Sequence, residues 1–556
     1  MSGERLIYMP LGGAGEIGMN AYVYGYGAPG QERLIVVDLG VTFGDMDGTP
    51  GIDLILPDVA WLEARRDRID GILITHAHED HVGALGLVWD RLRAPIYARK
   101  FTAAIARLKL DERGGVPESA MQVVEPWPKI LEIGPFRIGF VPISHSIPES
   151  AGLVIDTPQG RIVHSGDFKI DPSPVVGEPF DPGMWQEIGK AGVRALICDS
   201  TNVFSPNPGR SEATLVENVE ALLREAKGMV VATTFASNVA RLQTLANAAE
   251  AAGRSVCLLG RAMRRMVDTA IETGLLSRFP NVVSPEDASQ IPRENLLLLV
   301  TGSQGERRAA AAQLAQQGYM GISLKEGDTF LFSARTIPGN ERPVARIMNQ
   351  LSEKGVDVLD DAGGRYHVSG HANRPDLETF HDLIKPQFLI PMHGEHRHLR
   401  EHLKLGEAKG LGGIIATNGM MIDLSGNAPK VAEYVEAGRT YLDGSVLIGS
   451  LDGVIRDRMR MALNGHVTVT LIVDEEDEPL GEPWCEIMGL PATGRSKADL
   501  VEVLEAELSQ FIGRADRRTI KDDEKIEKEL IRIVRQTAQA EIGKKPEVTV
   551  VVSRLT

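Results

Sequence analysis

The sequence predicts an α/β protein in which one domain is interrupted by a second and followed by a small third. Three observations carry this reading. The apolar run Gly71-Ile72-Leu73-Ile74 ends in Thr75-His76-Ala77-His78-Glu79-Asp80-His81-Val82-Gly83, a strand passing through a tight turn into a helix that begins near Val82. Strand-like and helix-like segments alternate on both sides of that turn. A second alternation opens at Glu212 before the first has closed, and the first resumes past His367.

The first elements include a motif that fits two readings. Gly13-Ala14-Gly15-Glu16-Ile17-Gly18 fits the Gly-x-Gly-x-x-Gly dinucleotide fingerprint, which requires a helix next to receive the phosphate. Here Met19 to Tyr26 alternates and is rich in aromatic and β-branched residues, so it reads as strand, and nucleotide binding is disfavoured. Arg33 to Leu39 is a second strand ending in Asp38-Leu39-Gly40, and Thr42 to Pro57, dense in Gly, Asp and Pro, reads as a loop. After the histidine turn come a strand at Pro95 to Ala98 and a helix from Thr102. Strands follow at Gln122 to Val124, Ile130 to Ile133, Phe136 to Pro142, Arg161 to Val163 and Ala195 to Asp199.

The interrupting segment alternates helix and strand. Helices are expected at Glu212 to Ala226, Asn238 to Ala252, Met263 to Thr273 and Glu306 to Gln317, and strands at Met229 to Thr233, Ser255 to Leu259, Leu296 to Thr301 and Thr329 to Ser333. Short apolar strands separated by helices suggest a parallel sheet covered on both faces. Past it, Gly413 to Thr417, Ala432 to Glu436 and Ser445 to Gly449 complete the first domain. Met461 to Val473 then crosses into a C-terminal unit, where Leu500, Leu504, Leu508 and Phe511, then Ile526, Leu530 and Ile533, mark two helices before a strand at Val548 to Val552. The acidic run Asp474 to Glu478 reads as a solvated loop. The expected domains are residues 1–208 and 358–455 for the split domain, 209–357 for the insertion and 456–556 for the C-terminal unit.

Composition bounds the function. The 556 residues carry a net charge of −16, which argues against a polyanionic partner unless positive charge is gathered locally. Three separated cysteines, with no Cys-x-x-Cys pair, indicate neither a disulfide framework nor a thiolate zinc site and point to a reducing compartment. The apolar run at the N-terminus, broken by Pro10, is too short for a signal-peptide core, and no stretch approaches the roughly 18 residues that span a bilayer. A cytoplasmic enzyme without membrane contact is expected.

Its chemistry is concentrated in the His-x-His-x-Asp-His turn. A lone histidine in a loop reads as a solvated side chain, but His76 and His78, two apart in extended backbone, face one point, and Asp80 and His81 face a neighbouring one. Such a set suits two divalent ions sharing a water: zinc, with manganese also compatible with imidazole and carboxylate ligands. His145, in a loop just after a strand, is placed like His76 but on its own reads equally well as an ordinary loop histidine; a carboxylate at Asp167, in His164-Ser165-Gly166-Asp167, can bridge two ions, and His164 reads as structural. His396 and His398 read as a solvated helix start, and His381, His402 and His466 as ordinary histidines.

This turn resembles the signature of the metallo-β-lactamase superfamily. With Asp199-Ser200-Thr201, His367-Val368-Ser369-Gly370-His371 and Pro391-Met392-His393-Gly394-Glu395, the chain resembles the β-CASP nucleases of that superfamily and, within them, the ribonuclease J family. The resemblance implies a metallo-β-lactamase αββα sandwich with an inserted β-CASP α/β domain and a small C-terminal α/β domain serving dimer or tetramer assembly. It implies His76, His78 and His145 on one ion, Asp80, His81 and His393 on the other, and Asp167 bridging them. Asp199 then orients a ligand, and His371 donates to the scissile phosphate.

The implied activity is hydrolysis of single-stranded RNA from a 5′-monophosphate end, with internal cleavage, in mRNA decay and rRNA 5′-end maturation, in some settings within an RNA-degradation complex. Ser237, His367 and Ser369 are candidates for the terminal phosphate, since hydroxyls and an imidazole suit a phosphate at close quarters. Arg261, Arg264, Arg265, Arg307, Arg308, Arg335, Arg342 and Arg346 are either groove residues gripping phosphates or ordinary surface arginines. A DNA-processing β-CASP nuclease, a small-molecule metallo-hydrolase and a catalytically silent RNA-binding or scaffold subunit are the competing readings.

Overall fold

In the computed structural model, which describes residues 3–555 other than 362, the chain forms two compact units, Met1–Thr42 with Leu54–Thr440 and Phe43–Asp53 with Tyr441–Thr556. The division falls earlier than the expected 455/456 boundary, and the strand Val446–Gly449, expected to complete the first domain, lies in the second unit.

The first unit is built on two facing sheets. One has eight strands: Lys430–Tyr434, Met420–Asp423, Arg5–Gly12, Ala21–Gly27, Arg33–Val37, Ile69–Ile74, Ile96–Ala98 and Met121–Val123, in spatial order. The other has seven: Leu131–Ile133, Phe136–Pro142, Ala151–Thr157, Gly160–His164, Ala195–Asp199, Phe388–Met392 and Gly412–Gly413. Alternation along each strand buries one face between the sheets, where Tyr8, Tyr24, Ile35 and Val37 meet Phe136, Leu153, Ile197 and Ile390. The other face of the second sheet packs Leu196, Cys198 and Leu389 against Trp185, Phe380 and Leu405 of its covering helices. The arrangement is the expected αββα sandwich.

The insertion is a five-stranded sheet, Ser255–Leu259, Leu296–Val300, Val230–Thr233, Thr329–Phe332 and Asp357–Leu359 in spatial order, and every pairing in it is parallel. Its strands are apolar on both faces because both are covered. Val231, Leu298 and Phe330 pack on the helices Ala310–Gln316 and Glu341–Glu353, while Val230, Leu297 and Leu331 pack on helices that bring Leu223, Leu245 and Met263. In the second unit, Val467, Val469 and Leu471 of the central strand His466–Val473 pack on the helices Leu500–Ile512 and Asp523–Ile542. Trp484, Met488 and Val551 of that sheet stay exposed.

Several elements differ from expectation. Leu54–Pro57, within the presumed loop, is a strand, and Met461 to Asn464 ends a helix, Val454–Asn464, instead of starting a strand. Gly413 to Thr417 contributes only the pairing of Gly412–Gly413. The strands Ala151–Thr157 and Met420–Asp423 and the helix Glu341–Glu353 had no clear sequence signal.

Candidate metal centre

The strand Ile69–Ile74 delivers His76 and His78 in extended backbone, and the next helix begins at Glu79, three residues earlier than expected, so Asp80 and His81 lie in its first turn. Loops after the strands Phe136–Pro142, Gly160–His164 and Phe388–Met392 bring His145, Asp167 and His393 to the same place. All seven residues expected to hold metal therefore converge. They fall into two adjacent sets, His76, His78 and His145, and Asp80, His81, Asp167 and His393, with candidate donor atoms within 4.8 Å of one another in each set.

The ring nitrogens of the first set point at a common spot. Nδ1 of His78 lies 3.2 Å from Nε2 of His76 and 3.0 Å from Nε2 of His145, and the three rings are near-perpendicular, at 81°, 77° and 75°. Second partners settle two of the tautomers. Nδ1–H of His76 donates to Thr75 Oγ1 at 3.0 Å, and Nδ1–H of His145 donates to the Gly370 carbonyl at 2.6 Å, so both Nε2 atoms carry lone pairs. Burial, reinforced by the neighbouring imidazoles, holds His76 and His145 well below the ordinary histidine range and His78 down to about 4. The lone pairs of His76 and His145 both aim at His78 Nδ1, which has at most one proton to share between them, whereas a cation among the three nitrogens would satisfy all of them, and this donor set fits one.

The second set is compensated by charge. Nδ1–H of His393 donates to Asp167 Oδ1 at 2.8 Å, and His81 Nε2 lies 3.1 Å from Asp167 Oδ2. Burial opposes ionisation, but the carboxylates together outweigh it, Asp167 and Asp80 raising His393 to about 10 and Asp167, Asp80 and Asp38 raising His81 well above its usual value, while the two imidazoles hold Asp167 well below the carboxylate range. Nε2 of His393 is buried without a hydrogen bond, 3.3 Å from Asp80 Oδ2 but outside bonding geometry, as expected of an atom turned toward a cation. Asp167 Oδ2 lies 3.9 Å from both His76 Nε2 and His145 Nε2, so this carboxylate stands between the two sets.

A surrounding layer fixes these side chains, and sequence reading had missed part of it. Asp38, fully buried with a left-handed φ of 63°, accepts Nδ1–H of His81 at 2.8 Å, the Thr75 amide at 2.8 Å and the Thr75 hydroxyl at 2.9 Å. Its only signal was the position at a strand end in Asp38-Leu39-Gly40. Gly40 is required there because a Cβ would stand 1.7 Å from the Asp80 carbonyl oxygen. Asn20 donates to the Asp80 carbonyl at 3.0 Å. Asp199 accepts Nδ1–H of His371 at 2.8 Å; burial lowers that imidazole, yet Asp199 together with Asp167 raises it overall.

Beside this centre a cavity of about 650 Å³ is lined by Asn202, Arg210, Arg335, His367 and Ser369, among others including Asp360 and Asp361. Of the phosphate candidates, His367 and Ser369 line it, but Ser237 does not: it lies in the turn ahead of the helix Val239–Ala251, where its carbonyl accepts the Val239 amide. Of the eight singled-out arginines only Arg335 lines the cavity; all eight are exposed, and Arg265 pairs with Glu112 at 3.2 Å. Arg210, unforeseen, does line it and donates to the His367 carbonyl at 2.7 Å.

Two further histidine expectations resolve differently. His398 is buried against Phe204, with ring centroids 5.2 Å apart, and is not solvated, whereas His396 is exposed. His381 and His402 form a buried pair near Cys198 that resembles a metal site by proximity. Their rings lie within 10° of parallel, with centroids at 5.1 Å and Nε2 atoms at 3.0 Å, so they face each other end to end. That is the geometry of one N–H···N bond, with no room for an ion between the nitrogens.

Residues 15–198 match the metallo-β-lactamase superfamily, 227–351 the ribonuclease J β-CASP domain, 365–416 a Zn-dependent metallo-hydrolase RNA specificity domain and 453–555 the ribonuclease J C-terminal domain. The chain is 40% identical over 554 residues to ribonuclease J of Sinorhizobium meliloti, covering 99% of this chain and 98% of that one. It is 34% identical to ribonuclease J of Thermus thermophilus, covering 85% and 82%, and 33% identical to that of Corynebacterium glutamicum, covering 95% and 73%. A protein of unknown function from Enterococcus faecalis shares the fold over 75% of this chain and all of its own, with a TM-score of 0.52 and 17% identity.

Proposed function

The chain belongs to the ribonuclease J family of metallo-β-lactamase/β-CASP nucleases, and from that premise we propose that it removes nucleotides from the 5′-monophosphate end of single-stranded RNA, with internal cleavage as a second mode. The observation that carries the directional part is the cavity beside His371. Ser369 on its wall accepts the His371 amide at 3.2 Å, so a terminal nucleotide held there would have its 3′ phosphate toward the metal donors. Arg210, Arg335 and the His367 imidazole offer the positive and donor groups that a terminal phosphate needs.

His76, His78 and His145 would hold one ion, and Asp80, His81 and His393 the other, with Asp167 shared; the imidazole-rich donor set favours zinc and admits manganese. When bound, such ions acidify a water and neutralise charge developing on the phosphate. The chain's own groups do the rest. Asp199 takes Nδ1–H of His371 and favours the charged imidazole, whose Nε2–H would then donate to a phosphate oxygen. Asp38 keeps the His81 proton on Nδ1, away from the ligating nitrogen.

The test is digestion of end-labelled RNA by wild type and by the Asp80→Ala, His81→Ala double variant. Mononucleotides should appear from the 5′ end with wild type alone, and faster from 5′-monophosphate than from 5′-triphosphate or 5′-hydroxyl ends. Equal rates on all three ends would remove the terminal-phosphate reading. Roles in mRNA decay and rRNA 5′-end maturation, in the cytoplasm and within a degradation complex, belong to the same proposal. Assembly into a dimer or tetramer is supported by Trp484, 54% exposed, and Met488, 71% exposed, on the C-terminal sheet. Trp484→Glu should lower the mass measured by light scattering, and an unchanged mass would move the interface elsewhere.

A further inference from the structure

One short segment, His367-Val368-Ser369-Gly370-His371, touches both the cavity and the metal donors. Its first half lines the cavity: Arg210 holds the His367 carbonyl, and Asn202 Nδ2 donates to Ser369 Oγ at 2.8 Å. Nδ1 of His367 is buried without a partner. Its second half reaches the centre. The Gly370 carbonyl takes Nδ1–H of His145 at 2.6 Å, and His371 is held by Asp199. The two halves are braced together, since Ser369 Oγ also accepts the His371 amide at 3.2 Å.

The contact at His145 depends on the residue being glycine. A Cβ at position 370 would lie 2.6 Å from Ser146 Oγ and 2.9 Å from both Ser146 Cβ and His145 Cε1. Any side chain therefore forces the carbonyl and the imidazole apart, whichever of the two gives way. Without that acceptor nothing keeps the His145 proton on Nδ1, and the tautomer with Nε2–H has no lone pair to give.

We propose that the Gly370 carbonyl is a positioning group for His145, and that through it occupancy of the cavity and cation affinity of the imidazole trio are thermodynamically coupled. The inference rests on reading the cavity as the seat of a nucleoside 5′-monophosphate. A ligand that engages His367 and Ser369 orders the segment and with it the carbonyl, so the cation finds His145 already oriented. Linkage is reciprocal: a cation that fixes His145 tightens nucleotide binding by the same factor.

The experiment uses the full chain stripped of metal and titrated with zinc against a chromophoric chelator, alone, with AMP and with adenosine, after subtracting the zinc that AMP itself binds in a protein-free blank. AMP should tighten one zinc equivalent by about fivefold or more, at the lower end of typical allosteric coupling, and adenosine should not. Gly370→Ala should weaken that equivalent by about 10- to 100-fold, the usual effect of losing a partner behind a ligating histidine. Asn202→Ala, which frees Ser369 without adding an atom, should abolish the AMP effect, and it carries the test if the Gly370 variant melts early.

A folded Gly370→Ala protein with wild-type zinc affinity overturns the positioning role. AMP that binds by equilibrium dialysis yet leaves zinc affinity unchanged overturns the coupling and spares the cavity reading. AMP that fails to bind at all overturns the cavity reading itself.

Discussion

Replacing Asp38 by asparagine isolates the effect of a single proton. The carboxylate accepts three donors at once, from His81 Nδ1, the Thr75 amide and the Thr75 hydroxyl, and it is fully buried. Asparagine keeps the shape but offers one acceptor and one donor group. If its oxygen faces Thr75, its NH₂ meets Nδ1–H of His81; if it turns over, its NH₂ meets the Thr75 amide. Either way a buried donor faces a donor, and the first conflict is relieved by moving the His81 proton to Nε2, the nitrogen nearest Asp167 at 3.1 Å. That move takes a ligand from the second ion. Changes behind a ligating histidine typically cost 10- to 100-fold in affinity, or about 1.4–2.7 kcal/mol. The assay is initial RNA hydrolysis against free metal concentration. Asp38→Asn should need about 10–100 times more metal for half-maximal rate and come within a few-fold of wild type at saturation. A collapsed maximal rate with an unchanged metal requirement would refute the argument, because Asp38 would then act on the chemistry and not on ligand orientation.

Other consequences are as direct. Burial, with Lys409 adding to it, lowers His381 from 6.5 to about 4, so the unfolded chain takes up this proton first as the pH falls. Stability is present above pH 6.5 and lost down to about 4, by about 2 kcal/mol at pH 5; urea unfolding of metal-stripped His381→Leu should show a pH slope flatter by about 1.4 kcal/mol per unit in that window, and equal slopes would mean the pair is not neutral. Arg335→Glu should raise the KM for RNA several-fold and reduce the salt dependence of binding by about one counterion, since Arg335 lines the cavity; unaltered affinity and slope would remove it from the RNA path.

How much of this was readable before folding follows from how far apart the partners lie. Four metal-type residues sit within six positions, His76 to His81, so their convergence is a local property of a strand and a turn. The parallel sheet of the insertion was equally visible, because strands buried on both faces must be continuously apolar, as Leu296–Val300 is. The helix Glu341–Glu353 was hidden by Pro343, which suggests a break yet sits in the first turn, where its missing N–H costs nothing. Ala151–Thr157 was hidden because Gly152 packs against Trp185 and leaves no alternating pattern to see. Asp38 and Arg210 gave no usable signal: their partners, His81 and His367, lie 43 and 157 positions away.

Proximity alone would also have misled. His76, His78 and His145 on one side, and His381 and His402 on the other, both bring imidazole nitrogens to about 3 Å in a buried setting, and both sets are kept neutral by burial. Ring orientation separates them. Near-perpendicular rings turn three nitrogens toward one shared point, where two acceptors compete for at most one proton on His78, whereas near-parallel rings end to end satisfy one nitrogen with the proton of the other. The second pair is also tethered beyond the bond, since His402 Nδ1 lies 2.9 Å from Ser200 Oγ, next to Asp199. It ties two covering helices to the turn that aims His371, which is a mechanical role open to histidine only while it stays uncharged and unmetallated. Cobalt substitution tests the distinction, because the catalytic donors contain no sulfur: a thiolate-to-cobalt charge-transfer band lost in Cys198→Ser would place an ion between His381 and His402 and refute the hydrogen-bonded pair, while its absence with the catalytic sites filled is the expected result.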